Sequence, residues 1–415
     1  MSRIKKILVV AESINVEDSS GSKANVALIQ NLDKAGFELK VYHFTRRDIK
    51  IQGIQSVSIK EIKTSRHYFL SRLQRKLQHG LNINLARFLE PISGFSFTFF
   101  NDTASIAKAL MSENNFEPDL VLTLSKGASY RPHYALLALP KLQEKWMAYI
   151  HDPYPFHFYP EPYKWSEPGY EQKIKFFYDL SLKCKWAGFP SLYLSEWMEE
   201  KFPALKGKSV IIPHQINEND EQSESQFYDP EKFTVLHAGN LMLQRPPFGL
   251  IEGFNQFLKK NKEAQNLARL VLLGSGDNYS KELNEFNSQI PQLIFSQGNV
   301  PYREVRFLQR KANVNVILES KAEISPFLPG KFPHCVEANK PILLLGPEKS
   351  ESRRLLGEKY LYWAEVDNIV KISEYIEKLF LQWKDNPNSL RLDRKDLQKY
   401  LSYGHLRSVL NKIRS

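Results

Sequence analysis

The sequence predicts an α/β protein of two domains, each a parallel sheet wrapped by helices. Three observations predict it. The 415-residue chain opens on an apolar strand, a helix ended by glycine and a second strand, a βαβ unit. After residue 231 a strand–loop–helix pattern repeats four times, each strand ending in glycine or polar residues. Between the two lies Asn217 to Glu224 (N-E-N-D-E-Q-S-E), acidic and without an apolar residue, which marks a boundary.

Composition bounds the function classes. Hydrophobic residues are 42% and charged residues 25%, ordinary values for a chain with sizeable cores. Cys184 and Cys335 are too few and too far apart for a disulfide framework or a zinc site, which fits a reducing compartment. No run of about 18 apolar residues exists, and the apolar run Ile7 to Ala11 is too short for a signal peptide, so a cytoplasmic protein is expected. Net charge is +11 and uneven: residues 1–215 hold 29 Lys and Arg against 21 Asp and Glu. A basic half suits an anionic substrate or an anionic membrane surface. No zinc-finger, RRM-like or basic-zipper signature accompanies it, so nucleic acid is not expected as a partner.

In order along the chain, Lys6 to Ala11 reads as a buried strand, Ser19 to Lys23 as a small-residue loop, and Ala24 to Ala35 as a helix ended by Gly36. Phe37 to His43 gives the second strand. Residues 66–89 place Phe69, Leu70, Leu73 and Leu77 on one side of a helix, with Arg72, Arg75, Lys76 and His79 elsewhere around it. That pattern fits an interfacial helix on anionic lipid and, equally, a surface helix packed on its own domain. Pro91 to Phe100 is apolar and aromatic, suited to core packing or to a lipid-facing lip. Pro118 to Leu124 and Lys145 to Ile150 are further strands; the second runs into His151-Asp152 and then an aromatic stretch, Phe156 to Trp165. Polar residues at a strand's C-terminal end point into the ligand crevice of an α/β sheet. Ser195 reads as the cap of a following helix, and Ser209 to His214 as the last short strand before the boundary. The second half opens with the strand Lys232 to Ala238, then Gly239-Asn240, Arg245 and a helix over Phe248 to Lys259. Strands follow at Arg269 to Leu273 (ending in Gly274-Ser275-Gly276-Asp277), Ile294-Phe295 (followed by Gly298-Asn-Val300-Pro301) and Val314 to Leu318. A last strand ends at Ala364, and 368–382 and 389–413 look helical.

The most informative stretch is Ile324 to Gly346, I-S-P-F-L-P-G-K-F-P-H-C-V-E-A-N-K-P-I-L-L-L-G. Pro329-Gly330-Lys331 is a turn that sets a cation just inside a short helix over Phe332 to Ala338, and Ile342 to Leu345 is a buried strand. A loop, a helix start and a lysine suit a ligand carrying phosphate. P-G-K, a short helix, then N-K-P-I and a strand resembles the donor-binding segment of retaining glycosyltransferases with two Rossmann-like domains, the GT-B fold, and among them glycosyltransferase family 4 and its relatives.

The resemblance implies two Rossmann-like domains facing a central cleft, with a C-terminal helix crossing back to the first. It divides the chain into 1–215 (acceptor side), a linker at 216–230, 231–385 (nucleotide-sugar side) and 386–415. It implies a nucleotide-diphosphate sugar as co-substrate, no cofactor and no metal; the basic first half and residues 66–100 add the expectation of a glycan or lipid-linked acceptor in surface polysaccharide assembly at the inner face of the membrane. Arg245, in a position the family usually fills with lysine, and Lys331 would neutralise the diphosphate, and Gly239, Asn240, Gly274, Gly276 and Gly330 would make room for it. The backbone at Val300 and Pro301 would meet the nucleobase, Gly21 and Ser22 would lie on the acceptor side, and His151 and Asp152 would lie near the transferred sugar. The family's two acids, eight positions apart, fall here on Pro326 and His334. Glu323 is the displaced candidate for sugar contact, and His334 or Glu337 for the ribose hydroxyls. Those departures keep a second reading open, a non-catalytic protein retaining the cleft; an epimerase of the same fold lacks its acidic set here.

Overall fold

The structure, a computed structural model, describes residues 4–81, 86–217, 223–274 and 276–413, without the side chains of 78–81 and 86–89. His79, residues 82–85 of the basic helical stretch, 218–222 of the acidic boundary and Ser275 thus lie outside the described side chains or residues. The chain divides into two compact units: residues 1–159, 164–215 and 402–415 form the first, and 160–163 with 216–401 the second.

The first unit runs β1 (Lys6–Ala11), α1 (Ser20–Lys34), β2 (Glu38–His43), β3 (Gln55–Ser58), α2 (Arg66–Leu81), α3 (Ala86–Ser93), α4 (Phe97–Met111), β4 (Leu120–Leu124), α5 (Arg131–Leu136), α6 (Pro140–Gln143), β5 (Trp146–Tyr149), α7 (Tyr170–Lys183), β6 (Trp186–Phe189), α8 (Leu192–Lys201) and β7 (Ser209–Ile211). Its sheet has the order β3-β2-β1-β4-β5-β6-β7, every neighbouring pair parallel. Both faces are covered, so these strands read as continuous apolar runs. Leu8 and Val10 pack on one face with Phe99, Ile106 and Phe177, while Ile7, Val9 and Ala11 pack on the other with Val26, Ile29 and Leu32 of α1.

The second unit runs β8 (Phe233–Ala238), α9 (Phe248–Lys260), α10 (Ala264–Leu267), β9 (Ala268–Leu273), α11 (Ser280–Gln289), β10 (Leu293–Phe295), α12 (Tyr302–Lys311), β11 (Val314–Leu318), β12 (Ile324–Ser325), α13 (Phe332–Glu337), β13 (Ile342–Leu345), β14 (Lys349–Ser350), α14 (Glu351–Leu356), β15 (Trp363–Ala364), α15 (Ile369–Asp385) and α16 (Lys395–Tyr400). Its sheet is again parallel, in the order β10-β9-β8-β11-β13-β15, and a two-stranded ribbon joins β12 to β14. The last helix, α17 (Tyr403–Lys412), returns to the first unit. There Leu406 and Leu410 bury against the α1 face of the sheet beside Ile413.

Several local expectations are corrected. Ser19 to Lys23 is not a loop: Ser19 is an N-cap whose hydroxyl accepts from Ser22 N (3.1 Å), so α1 starts at Ser20 and Gly21 sits in its first turn. The cap of α8 is Ser191, accepting from Leu194 N, and Ser195 lies inside the helix. Residues 389–413 are not one helix but α16 and α17, parted at Leu401-Ser402, where the chain passes between units. Pro91 to Phe100 divides: Phe95 and Phe99 are buried in the core and stacked at 4.1 Å between centroids, Phe97 and Phe100 are half-buried, and Ile92 is exposed.

Candidate functional site

In a doubly wound sheet the strand order reverses between two neighbours, and the loops leaving their C-terminal ends diverge and open a crevice. Each unit has one such point, β1/β4 in the first and β8/β11 in the second.

In the second unit β8 ends in His237-Ala238 and turns at Gly239, which has φ +156°. A Cβ at Gly239 would lie 2.6 Å from Lys331 Nζ, so the glycine lets the lysine arriving from the start of α13 come this close to the backbone. Lys331 Nζ stands 3.4 and 3.5 Å from the two ring nitrogens of His237, whose Nδ1–H donates to the Val316 carbonyl at 3.3 Å. His237 is buried, and burial, reinforced by the Lys331 charge, holds its imidazole far below the usual range and hence neutral. Burial likewise pulls the Lys331 ammonium down to about 7, with the Arg245 guanidinium adding to the effect. Arg245 leans on Met242 Sδ and leaves its Nε buried without a partner.

Across the crevice, β11 runs into Glu319, which is buried. Ser352 Oγ donates to its Oε1 at 2.6 Å, while Oε2 has no partner and stands where a Cβ on Gly346 would be 2.8 Å away. Burial raises this carboxyl to about 7 against the pull of three serines and Arg245. A glycine-lined ledge continues the site along the sheet. Gly274, at φ +129°, is so close to Gly239 that a Cβ would lie 2.7 Å from the Gly239 carbonyl carbon. Ser296 accepts from Gly274 N and donates to Gly298 O, holding the ends of β9 and β10 together. Beyond it is a cavity of about 520 Å³ lined by Phe227, Phe295, Ser296, Gly298, Val300 and Pro301.

Of the donor-side residues named from sequence, the structure thus brings together Arg245, Lys331, Gly239 and Gly274, and sets Val300 and Pro301 on the cavity. Asn240, Glu323 and Gly330 are exposed, and Gly276 is buried, with Leu283 3.2 Å and Leu241 3.7 Å from where a Cβ would lie. His334 shares a hydrogen bond with Tyr302 Oη (3.2 Å). Glu337 has a different setting: its carboxylate pairs with Arg306 and with Arg310 (2.9 Å), and Arg306 also donates to Asn217 O. Sequence reasoning missed His237 and Glu319. Both are polar residues at the end of an apolar strand, the signal that singled out His151 and Asp152.

In the first unit α1 packs so tightly on the loop after β4 that a Cβ on Gly21 would lie 2.9 Å from Gly127 N. Ser22 is buried and its hydroxyl is bonded to that of Ser19 (3.0 Å). His151 Nε2–H donates to Asn25 Oδ1 (2.9 Å), and Asn25 Nδ2 donates to Ser125 O (3.0 Å), which fixes the amide and therefore the histidine tautomer. Burial, then His214 and His133, push His151 far below its usual range. Its Nδ1 thus carries a lone pair. Asp152 lies across from Gly127, where a Cβ would be 3.9 Å from Oδ2, and its carbonyl accepts from Tyr130 Oη (2.8 Å). Behind the crevice, Glu12 at the end of β1 accepts from Arg131 Nη1 (2.8 Å) and Lys126 N (3.1 Å), and Arg131 Nε also donates to buried Asp102 (3.0 Å). Tyr130, just before Arg131, is in the left-handed region at φ +55°.

No protein-family model matches the sequence, and no curated protein matches it. Solved structures do match over nearly the whole chain. The trehalose-6-phosphate synthase OtsA superposes with a TM-score of 0.64 at 12% identity, covering 100% of both chains. A UDP-forming α,α-trehalose-phosphate synthase from Burkholderia xenovorans, in complex with glucose-6-phosphate, gives 0.63 at 9% identity, covering 97% of this chain and 98% of that one. HepE of Anabaena, in complex with UDP and glucose, gives 0.58 at 11% identity over 98% and 97%. At such identities the likeness speaks for fold alone. The chain has the two-sheet, Rossmann-like α/β fold of the GT-B glycosyltransferases.

Proposed function

We propose that this protein is a glycosyltransferase that moves a hexose from a nucleotide-diphosphate sugar to an acceptor, with retention of anomeric configuration. The observation that carries the reading is the convergence of Arg245 and Lys331 on the glycine ledge at the β8/β11 switch point. When the glycosidic bond breaks, negative charge grows on the leaving diphosphate, and groups placed in advance around that charge lower the barrier most. Arg245 offers a planar fork of donors and Lys331 a compact charge; together they supply this without a metal. The cavity at Val300 and Pro301 takes the nucleobase, and Glu319 stands where the transferred sugar's hydroxyls need a buried partner. The β1/β4 switch point, with His151 Nδ1 and Asp152, serves the acceptor, which we propose is a glycan or lipid-linked saccharide of surface polysaccharide assembly.

A second reading, a protein that binds the nucleotide-sugar without transferring it, is favoured by His334 standing where the related enzymes carry an acid. Calorimetric titration with UDP, GDP and their common sugars separates the outcomes. Wild type binds one nucleotide in the micromolar range; Arg245→Ala and Lys331→Ala each weaken it at least tenfold and cut transfer by about 10²–10³. Nucleotide binding with no hydrolysis or transfer in any acceptor screen supports the second reading, and no binding to any nucleotide overturns both.

A further inference from the structure

Helix α2 is built inside out. At about 100° per residue, Phe69, Leu73, Leu77 and Leu70 fall within one arc about 100° wide, with Arg66 in its middle and Lys76 and Arg72 along one margin. In a helix packed on its own domain that arc faces the core. Here Phe69 is 62% exposed, Leu73 53% and Leu70 40%, while Ser71 (1%) and Gln74 (9%) are the buried ones among the described side chains of α2. The buried side carries polar contacts: Ser71 Oγ donates to Tyr68 O (2.8 Å), and Arg75 Nε donates to Ser71 O, while Arg75 Nη2 is buried without a partner. The chain thus spends polar residues on its own interior and turns large apolar ones outward, an arrangement that folding alone does not favour.

The charge around this arc has one sign. Between Glu61 and Glu90 the sequence holds six Lys and Arg and no acid. Lys63, Arg66, Arg72 and Lys76 are exposed; Arg72 comes within 3.9 Å of the Glu61 carboxylate and lies over the Tyr68 ring. No helix among the described residues is long and apolar enough to cross a membrane, so an apolar contact made here is interfacial.

We propose that α2 seats the protein on an anionic lipid surface, its apolar arc entering the boundary between headgroups and acyl chains and its cations meeting lipid phosphates. Charge complementarity selects this occupant: a second copy of α2 would bring the same cations face to face, and an uncharged apolar partner would offer no counter-charge beyond the Glu61 carboxylate near Arg72. The contact is independent of the sugar-transfer reading and stands or falls by itself.

The test is flotation of the full chain with vesicles of phosphatidylcholine alone and with about one third phosphatidylglycerol. Wild type binds the anionic vesicles at low salt, binds neutral ones far more weakly, and is released as salt rises. The triple change Arg66→Gln, Arg72→Gln, Lys76→Gln weakens anionic binding about 100-fold, each cation near such a surface contributing about fivefold. Phe69→Ser, Leu70→Ser and Leu73→Ser together abolish binding while circular dichroism and melting temperature stay unchanged, because these side chains are exposed. The proposal is overturned if wild type ignores anionic vesicles, if neither variant weakens binding, or if light scattering shows a dimer that the serine variant splits while vesicle binding is absent.

Discussion

Lys331 and Glu319 lie in one crevice with opposite charges in prospect and the same titration range, both near 7. A diphosphate entering beside Lys331 favours the ammonium, so binding draws a proton onto it. With a nucleotide-sugar, whose diphosphate does not titrate near neutrality, uptake approaches one proton at pH 8, where free Lys331 is mostly neutral. At pH 6 the lysine already carries its proton and uptake falls toward zero. Calorimetry in buffers of different ionisation heat reads this directly, and Lys331→Ala removes the difference between the two pH values; equal uptake in wild type at pH 6 and pH 8 contradicts it. Glu319 works the other way on stability. Its folded value lies above the unfolded one, so its contribution is full below about pH 4.5 and is lost as pH rises through 7. Glu319→Gln therefore gains on wild type between pH 5 and pH 8, by about 3 kcal/mol at most, since each pH unit separating the folded from the unfolded value is worth about 1.4 kcal/mol. Thermal melts of both proteins across that range test the sign.

Among the elements, α13 shows what was legible and what was not. Its start at Phe332 and the strand behind it follow from Pro-Gly-Lys, Lys340-Pro341 and an apolar tetrad, and the structure has them there. The partners of Glu337 are another matter: Arg306 and Arg310 sit on α12, one helix turn apart and about 30 positions away in sequence, and nothing local announces that they face α13. Charged pairs between helices are set by how the helices dock, which periodicity does not reveal. The same reason hid His237 from Lys331, 94 positions later. Boundaries failed where capping chemistry is cheap and repeated, as at Ser19, with Ser20 and Ser22 close by, and at Ser191, four residues before Ser195. The Glu337 clamp gives a prediction at this scale. Arg306 is buried, and removing its counter-charge leaves it uncompensated, so Glu337→Ala lowers stability by about 3 kcal/mol. If Glu337 only steadies α13 against α12, nucleotide affinity measured well below the melting point changes less than threefold; a tenfold loss would instead place its carboxylate on the ligand.

At the scale of the whole molecule, the two parallel sheets were readable because strands buried on both faces are written as continuous apolar runs, and glycine at their ends punctuates them. The path of the last sixty residues was less readable, since α16 and α17 both carry amphipathic patterns and sequence gives no sign of which sheet each one covers. Leu406 and Leu410 are each 1% exposed on the first unit's sheet. Leu410→Ala accordingly costs about 2–5 kcal/mol and lowers the melting temperature of the first unit, followed by differential scanning calorimetry; a loss confined to the second unit's transition would put α17 elsewhere.

Apart from residues 160–163, the second unit is the single stretch 216–401, in effect an insertion within the first. During synthesis the first sheet is finished by residue 211, yet the helix that covers part of its α1 face is made only after residues 216–401 of the second unit. Until then Met147, Leu122 and their neighbours lack the Leu406 and Leu410 side chains that complete their packing. The first unit is therefore begun before the second and closed after it, and a chain cut short before α17 keeps that face of the first sheet partly bare.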